Sequence, residues 1–421
     1  MENNELKQAI LLKAQTAKEA SRKLASMSTE QKNNILSAMA DALQKNIKEI
    51  LFHNEIDVHA AKESRIAPTL IDRLALTDRR VNDIIKCIKD VILLQDPIGT
   101  VIERNTLSVD IDVKKIRVPL GVIAMIYEAR PNVTVDAASL CLKAGNAVIL
   151  KGGTQAINSN RVFAKIICNA AVKAGMPSGA IQFIDTTDRA AVQELIRLDT
   201  FIDLLIPRGS QELVGFIKTN SQIPVLSHGK GLCHTYVDKD ANIDMALDIA
   251  INAKCQRPSA CNAMETLLIH KDIADKVLPA LCKLYNVSGV EIRGCKISKS
   301  IVNSIKLATE KDWETEYLDL IISVKVINSL EEAIEHINKH GSMHSEAIVT
   351  NNQEATDKFV AEVDASAVFV NASTRLHDGS VFGLGCEIGI STQKLHARGT
   401  MGIKELTTTK YVASGNGAIR N

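Results

Sequence analysis

The sequence predicts a multidomain α/β protein, with a doubly wound parallel sheet ahead of a second α/β unit. Three observations predict it. At 421 residues the chain is too long for a single ordinary core, and two or three domains are expected. Between residues 121 and 226, short strands apolar on both faces alternate with helices of about ten residues, the pattern of βαβ units. Residues 100–117 instead show a period of two, which reads as an antiparallel hairpin or arm standing ahead of the sheet.

Composition narrows the class. Hydrophobic residues make up 46% and charged residues 24%, as in a folded globular protein. Fifty basic and forty-nine acidic residues give a formal net charge of +1, which offers no electrostatic pull on nucleic acid or an anionic membrane. Aromatics at 3% also argue against base-stacking platforms. Nine cysteines lie scattered without CxxC pairs or Cys/His ligand spacing, so no metal site is expected and reduced thiols of a cytoplasm fit better than a disulfide framework. The opening MENNELKQAI has no apolar core of a secretory signal, and no run approaches the ~20 apolar residues of a membrane span.

From the N-terminus, residues 5 to about 95 read as helices. Leu6, Ile10, Ala14, Ala17 and Leu24 recur at helical spacing. Ser28 with Gln31 is a capping-box pattern opening a second helix through Ile35, Met39 and Leu43, and Asp96-Pro97-Ile98-Gly99 stops the run. In the arm, Leu107, Val109, Ile111 and Val113 alternate with Ser108, Asp110 and Asp112, which predicts one wet face. Strands are expected at 121–127, 147–151, 181–184, 204–206 and 224–226, with helices at 134–144, 158–174, 190–198 and 211–219. The second unit carries a helix near 273–285, a strand at 321–327, a helix at 330–339 and a strand at 365–370. Residues 371–402 read as long loops, which in a compact protein are usually functional. Lys404 to Val412 alternates again and is expected to pair with the arm.

Two turns follow strands of the first sheet, Lys151-Gly152-Gly153-Thr154 and Pro207-Arg208-Gly209-Ser210. Each places backbone amides where phosphate could meet a helix N-terminus, although GxGxxG itself is absent. In the second unit, NAKCQRPSACNAMETLLIH at residues 252–270 holds Cys255 and Cys261 around a Pro-Ser turn, ahead of an apolar strand. Either thiol is a candidate nucleophile, and both also suit a reading as small buried hydrophobes.

Long motifs extend this. YEARPNVTVDAA at Tyr127, QRPSACNAMETLL at Gln256, DWETEYLDLIISVKV at Asp312, VNASTRLHDGS at Val370 and FGLGCEIGISTQKLHARGTMGIKELTT at Phe382 resemble the aldehyde dehydrogenase superfamily. Within it they resemble the γ-glutamyl phosphate reductase (glutamate-5-semialdehyde dehydrogenase) family over essentially the whole chain. The resemblance implies a Rossmann-type cofactor domain at 1–99 with 119–229, a catalytic domain at 230–403, and an oligomerisation arm formed by 100–118 with 404–421. It implies NADPH-dependent reduction of L-glutamyl 5-phosphate to glutamate 5-semialdehyde in proline biosynthesis, with release of phosphate. It further implies a cytoplasmic homo-oligomer, dimer or tetramer, in possible transient contact with glutamate 5-kinase.

Residue by residue, Cys261 matches the catalytic thiol and Asn132 the oxyanion donor. Lys151, Gly152 and Gly153 match the turn along the adenosine ribose, Arg208, Gly209 and Ser210 the turn over the pyrophosphate, and Glu316 the glutamate on the nicotinamide ribose. Cys255 is then a neighbour. No carboxylate follows Lys151 at 152–155, which leaves room for the 2′-phosphate of NADP. Arg130, Arg257, Ser373, Thr374 and Arg375 are the substrate-binding candidates, with loop capping and structural ion pairs as their plainer roles. Where hydrolytic relatives carry a glutamate in an ELGGK context, this chain reads His228-Gly229-Lys230-Gly231-Leu232-Cys233-His234. A thioester at such a site is kept for reduction and protected from water. The competing expectations are a hydrolytic or CoA-acylating enzyme of the same fold, and a non-catalytic scaffold.

Overall fold

The computed structural model describes residues 3–107, 111–227 and 229–419. By its internal contacts the chain divides into two compact units: residues 1–227, 383–389 and 401–421, and residues 228–382 and 390–400. The segments 383–389 and 401–403, which the resemblance had left with the catalytic domain, pack in the first unit.

Unit 1 opens with five helices: α1 (Asn3–Leu24), α2 (Thr29–Lys45), α3 (Ile47–Glu63), α4 (Pro68–Leu74) and α5 (Asp78–Leu93). The expected capping box is present. Ser28 accepts from the Gln31 amide at 3.2 Å, and the Ser28 amide donates to the Gln31 side chain at 2.9 Å. The arm follows as β1 (Val101–Leu107) and β2 (Ile111–Pro119), and the C-terminal strand Thr407–Gly415 pairs antiparallel with β2, as its alternation predicted. Of the alternation expected over 107–113, Ile111, Asp112 and Val113 are half-buried alike, as is every residue of β2, the central strand of the three. Ser108, Val109 and Asp110 lie outside the described residues.

The parallel sheet then runs β3 (Val122–Tyr127), α6 (Asn132–Lys143), β4 (Ala147–Gly152), α7 (Ile157–Lys173), β5 (Ile181–Phe183), α8 (Ala190–Leu195), β6 (Leu204–Arg208) and α9 (Gln211–Asn220). Its order is β5-β4-β3-β6. The stretch expected as a strand at 224–226 makes only one bridge, Leu205 to Val225. The chain runs outward from β3 through β4 to β5, then returns to place β6 on the other side of β3. This reversal opens a crevice at the carboxyl ends of the strands, the place where such sheets bind ligands.

Unit 2 carries a seven-stranded parallel sheet. Its elements are β7 (Cys233–Val237), α10 (Ile243–Cys255), β8 (Met264–His270), α11 (Lys271–Val287), β9 (Glu291–Gly294), α12 (Lys296–Ile301), β10 (Lys306–Leu307), β11 (Ile321–Ile327), α13 (Leu330–His340), β12 (Ser345–Val349), α14 (Gln353–Glu362) and β13 (Ala367–Val370). The order is β10-β9-β11-β8-β7-β12-β13. One face buries Leu267, Ile269, Val324 and Val326 against Val277, Leu278 and Leu281 of α11. The other buries Tyr236, Leu268 and Ile348 against Ile334, Ile337 and Phe359 of α13 and α14. Coverage on both faces explains why all seven residues of β8 are buried, the polar Glu265, Thr266 and His270 as well as the apolar four. The loop tail holds only a 3-10 turn, Thr374–Leu376, and two three-residue strands. Among the described residues, no helix is long and apolar enough to cross a membrane.

Candidate active site

In unit 1 the crevice becomes a cavity of about 400 Å³ lined by Lys151, Gly152, Gly153, Thr154, Gln155 and Ser210, with Glu128, Thr187, Arg189 and Phe216 completing its wall. Strand register builds it, since Tyr127 at the end of β3 lies beside both Gly152 of β4 and Arg208 of β6. Gly152 sits tight against a neighbour: a Cβ there would lie 2.1 Å from the Asn160 side-chain amide nitrogen and would force that side chain to move. Lys151 is buried, and its ammonium donates to the Gly152 carbonyl at 2.8 Å. Burial pulls its pKa down, while Asp188 pulls it up.

The second turn already receives an anion. Ser210 caps α9, and its backbone amide donates to the Glu128 carboxylate at 2.7 Å. Glu128 comes from the YEARPN motif and had no role in the sequence reading. Arg208 turns away from the cavity. A Cβ on Gly389 would meet its guanidinium at 2.4 Å, so the side chain lies along that glycine's backbone. Arg208 and Gly209 therefore shape the turn without lining the cavity.

Beyond Glu128, Ala129 takes a left-handed φ of 43°, a conformation that is uncommon without glycine and that redirects the chain before α6. Arg130 follows, half-buried, and Asn132 begins the helix. One N–H of the Asn132 amide donates to Asp136, one helical turn on, at 2.8 Å. Burial chiefly raises the Asp136 pKa, to about 7. The Asn132 bond and Arg208 lower it, and Glu387 adds to the rise.

In unit 2 the thiols separate. Cys255 is the last residue of α10 and sits against the apolar core, where burial raises its pKa. Cys261 lies in two successive turns, closed by Ala260 N to Arg257 O at 3.1 Å and Ala263 N to Ala260 O at 3.0 Å. These turns end where β8 begins, so Cys261 stands at the amino edge of the sheet. Its backbone is locked. A Cβ on Gly231 would lie 2.1 Å from the Cys261 carbonyl oxygen, and the Cys233 thiol donates to that oxygen at 3.3 Å. Glu316 holds the other side of this contact, its carboxylate accepting from the Gly231 amide at 2.9 Å.

The loop after β13 docks on the same turn. The Thr374 hydroxyl donates to the Asn262 carbonyl at 2.7 Å, and the Asn262 amide donates to the His377 carbonyl at 3.0 Å. Ser373 caps the short turn by accepting from the Arg375 amide at 3.3 Å. Ser373 and Thr374, expected to meet substrate, are instead buried and used in holding this loop. Arg375 is half-buried and donates to Gln256 at 2.9 Å. Burial lowers its pKa first; the negative charge of Cys261 opposes that, and Arg257 reinforces it. Arg375 is thus within electrostatic reach of the thiol, and by reciprocity favours its thiolate. Arg257, a substrate-binding candidate in the sequence, is exposed.

Sequence reasoning missed Glu265, four residues past Cys261. It is buried, with one oxygen on the Lys254 ammonium at 2.7 Å and the other on the Leu318 amide at 3.1 Å. Lys254 is a helical residue eleven positions upstream, a separation that reveals no pairing without the fold.

Against known proteins, the model of the aldehyde dehydrogenase family matches residues 4–290. A γ-glutamyl phosphate reductase of Halothermothrix orenii is 50% identical, over 99% of this chain and 100% of its own. One of Caldanaerobacter subterraneus subsp. tengcongensis is 53% identical, over 97% of this chain and 99% of its own. The crystal structure of γ-glutamyl phosphate reductase from Thermotoga maritima superposes with a TM-score of 0.94 at 46% identity, covering 98% of this chain and 100% of that one.

Proposed function

The chain belongs to the aldehyde dehydrogenase family and, within it, to the γ-glutamyl phosphate reductases; we propose that it reduces L-glutamyl 5-phosphate with NADPH through a thioester on Cys261. The observation that carries this reading is the locked turn. Gly231, Cys233 and Glu316 fix the backbone of Cys261, while Arg375 lies within charge reach of the thiol.

The Cys261 thiolate attacks the acyl carbon, the bond from that carbon to the phosphate oxygen breaks, and the glutamyl group remains as a thioester. The dinucleotide, when bound, supplies the hydride that converts the thioester to a hemithioacetal. That species re-forms its carbonyl by expelling the thiolate, which releases the aldehyde. At each tetrahedral stage one oxygen carries negative charge. We assign Asn132 as a donor to it, through the amide hydrogen not given to Asp136, a contribution of about 3 kcal/mol by analogy with other oxyanion holes.

Lys151, Gly152, Gly153 and Ser210 suit a dinucleotide. The cavity lies at the sheet's switch point, and the Ser210 amide already receives a carboxylate. Phosphate there would replace Glu128. Thr154 and Gln155, both neutral, leave room for a 2′-phosphate. For Glu316 we keep a role on the nicotinamide ribose, next to the Gly231 amide from which its carboxylate accepts. Arg130, Arg257 and Arg375 remain the cations assigned to the phosphate and α-carboxylate.

Departure to phosphate is favoured over hydrolysis because Glu265 has both oxygens engaged and is unfit to activate water. The arm, with Val101, Ile102 and Tyr411 exposed, is assigned to self-association as a dimer or tetramer. A cytoplasmic location and transient contact with glutamate 5-kinase complete this reading.

The deciding experiment runs the reaction backwards. Glutamate 5-semialdehyde with NADP should give sustained NADPH formation only when inorganic phosphate is present. Equal rates without phosphate would sink the reading in favour of a hydrolytic enzyme.

A further inference from the structure

The mechanism uses neither Cys87 of α5 nor Cys386 of the 383–389 segment, yet the fold of unit 1 brings both to Asp136 of α6. One sulfur from each cysteine and one carboxylate oxygen of Asp136 lie within 4.8 Å of one another. We propose that Cys87, Asp136 and Cys386 form a binding site for a thiophilic divalent cation of the zinc class.

The donor set is one such cations select. Two sulfurs and a carboxylate exclude magnesium and calcium, which take oxygen shells, and suit a tetrahedral ion whose fourth position is left to water. In a tetrahedral site with metal–sulfur bonds of about 2.3 Å, the two sulfurs lie about 3.8 Å apart. Asp136 adds a second and independent indication. Its Oδ2 receives the Asn132 amide, but its Oδ1 is buried and has no hydrogen-bond partner among the described residues. A buried acceptor left without a donor is costly, and a cation would satisfy it.

Binding forms two metal–sulfur bonds and one metal–oxygen bond, and releases the two thiol protons together with any proton on Asp136.

The position of the site matters. A cation on Oδ1 leaves Oδ2 on the Asn132 amide and fixes Asp136 as a carboxylate, the better acceptor. Sequence spacing could not show this cluster, since its three members lie on α5, on α6 and near the C-terminus. The segment reaches α5 closely, for a Cβ on Gly385 would meet Leu94 at 3.3 Å and Asp90 at 3.5 Å.

The test is a titration with cadmium, whose thiolate complexes absorb in the ultraviolet. The full chain carries Cys261→Ser, so that the half-buried nucleophile cannot compete, and is treated with chelator first. One cadmium should bind per chain, with a thiolate-to-metal band and a rise in melting temperature. Cys87→Ala or Cys386→Ala should each weaken binding by more than about 100-fold, and Asp136→Asn by about 10-fold. Uptake that is absent, or that persists unchanged in the Cys87→Ala/Cys386→Ala double variant, would overturn the proposal. Because Cys386 is buried, its variant could misfold. Half-buried Cys87, changed to Ser with circular dichroism matching the parent, then decides the question alone.

Discussion

The two units use opposite edges of their parallel sheets. Unit 1 builds its cavity at the carboxyl ends of β3, β4 and β6, from backbone turns, one lysine and a capped helix. Unit 2 mounts its thiol at the amino edge of β8, in a turn clamped by a glycine, a glutamate and a returning loop. The first arrangement follows from a general property of open α/β sheets. The second is held by contacts between residues far apart in sequence. The lesson is that a site made by topology tolerates change in its individual side chains, whereas one made by close packing does not.

Substitutions should separate the two. Cys261→Ala should remove reductase activity by about ten-thousand-fold or more, the scale seen when a nucleophile is deleted. NADPH binding to unit 1, read by quenching of nicotinamide fluorescence, should stay near normal. Cys255→Ala should lose little. Alkylation mapped by mass spectrometry should label Cys261 well before Cys255, and the reverse order would move the nucleophile.

The glycine clamp gives the next largest effect. Gly231→Ala places a methyl against the Cys261 carbonyl and should destabilise unit 2 by about 1–3 kcal/mol, with activity falling as the turn shifts. Gly229, two residues earlier, has nothing within 4 Å of an added Cβ, so Gly229→Ala should be silent. If both behaved alike in thermal melts and turnover, close packing would not be what holds the thiol.

Removing a cation should have a smaller effect. Arg375→Gln should shift the titration of Cys261 alkylation upward by about one pH unit, slowing labelling at neutral pH about tenfold. In unit 1, Lys151→Met should raise the KM for NADPH by about tenfold with kcat little changed, if the lysine contributes binding alone.

The smallest effect concerns Glu265. Burial outweighs Lys254 and raises its pKa from the usual 4.5 to about 7. The folded chain then keeps a proton that the unfolded chain has released. From this group, stability is greatest below about pH 4.5 and is lost as pH rises through about 7, at no more than about 1.4 kcal/mol per pH unit. Lys254→Met with Glu265→Gln removes both charges together, which avoids stranding either one in the interior. Chemical denaturation from about pH 5 to 7 should show wild type losing stability relative to this pair.

The same contrast explains what the sequence made legible. Unit 1 could be read almost element by element, because apolar strands, helical periods and glycine turns are local signals. The C-terminal strand was matched to the arm by its alternation alone. Cys261 could be singled out only through motif resemblance, since local chemistry left it level with Cys255. What surrounds the thiol was largely hidden. Gly231 was visible as a motif, but not as a contact 30 residues from its partner. Thr374 looked like a substrate donor until its hydroxyl was found on the Asn262 carbonyl, and Arg208 until its side chain was found along Gly389. Glu128, read as an ordinary motif residue, holds the Ser210 amide at the start of α9.

The central claim is a thioester on Cys261 that waits for phosphate or hydride and is kept from water. A rapid-quench experiment tests it most directly. Enzyme mixed with glutamate 5-semialdehyde and NADP, without phosphate, should form one NADPH per active chain in a burst and then stop. Mass spectrometry of the quenched protein should find a glutamyl group on the Cys261 peptide, and added phosphate should discharge it and restart turnover. Continuous NADPH formation without phosphate, or a glutamyl group on any other residue, would contradict the account.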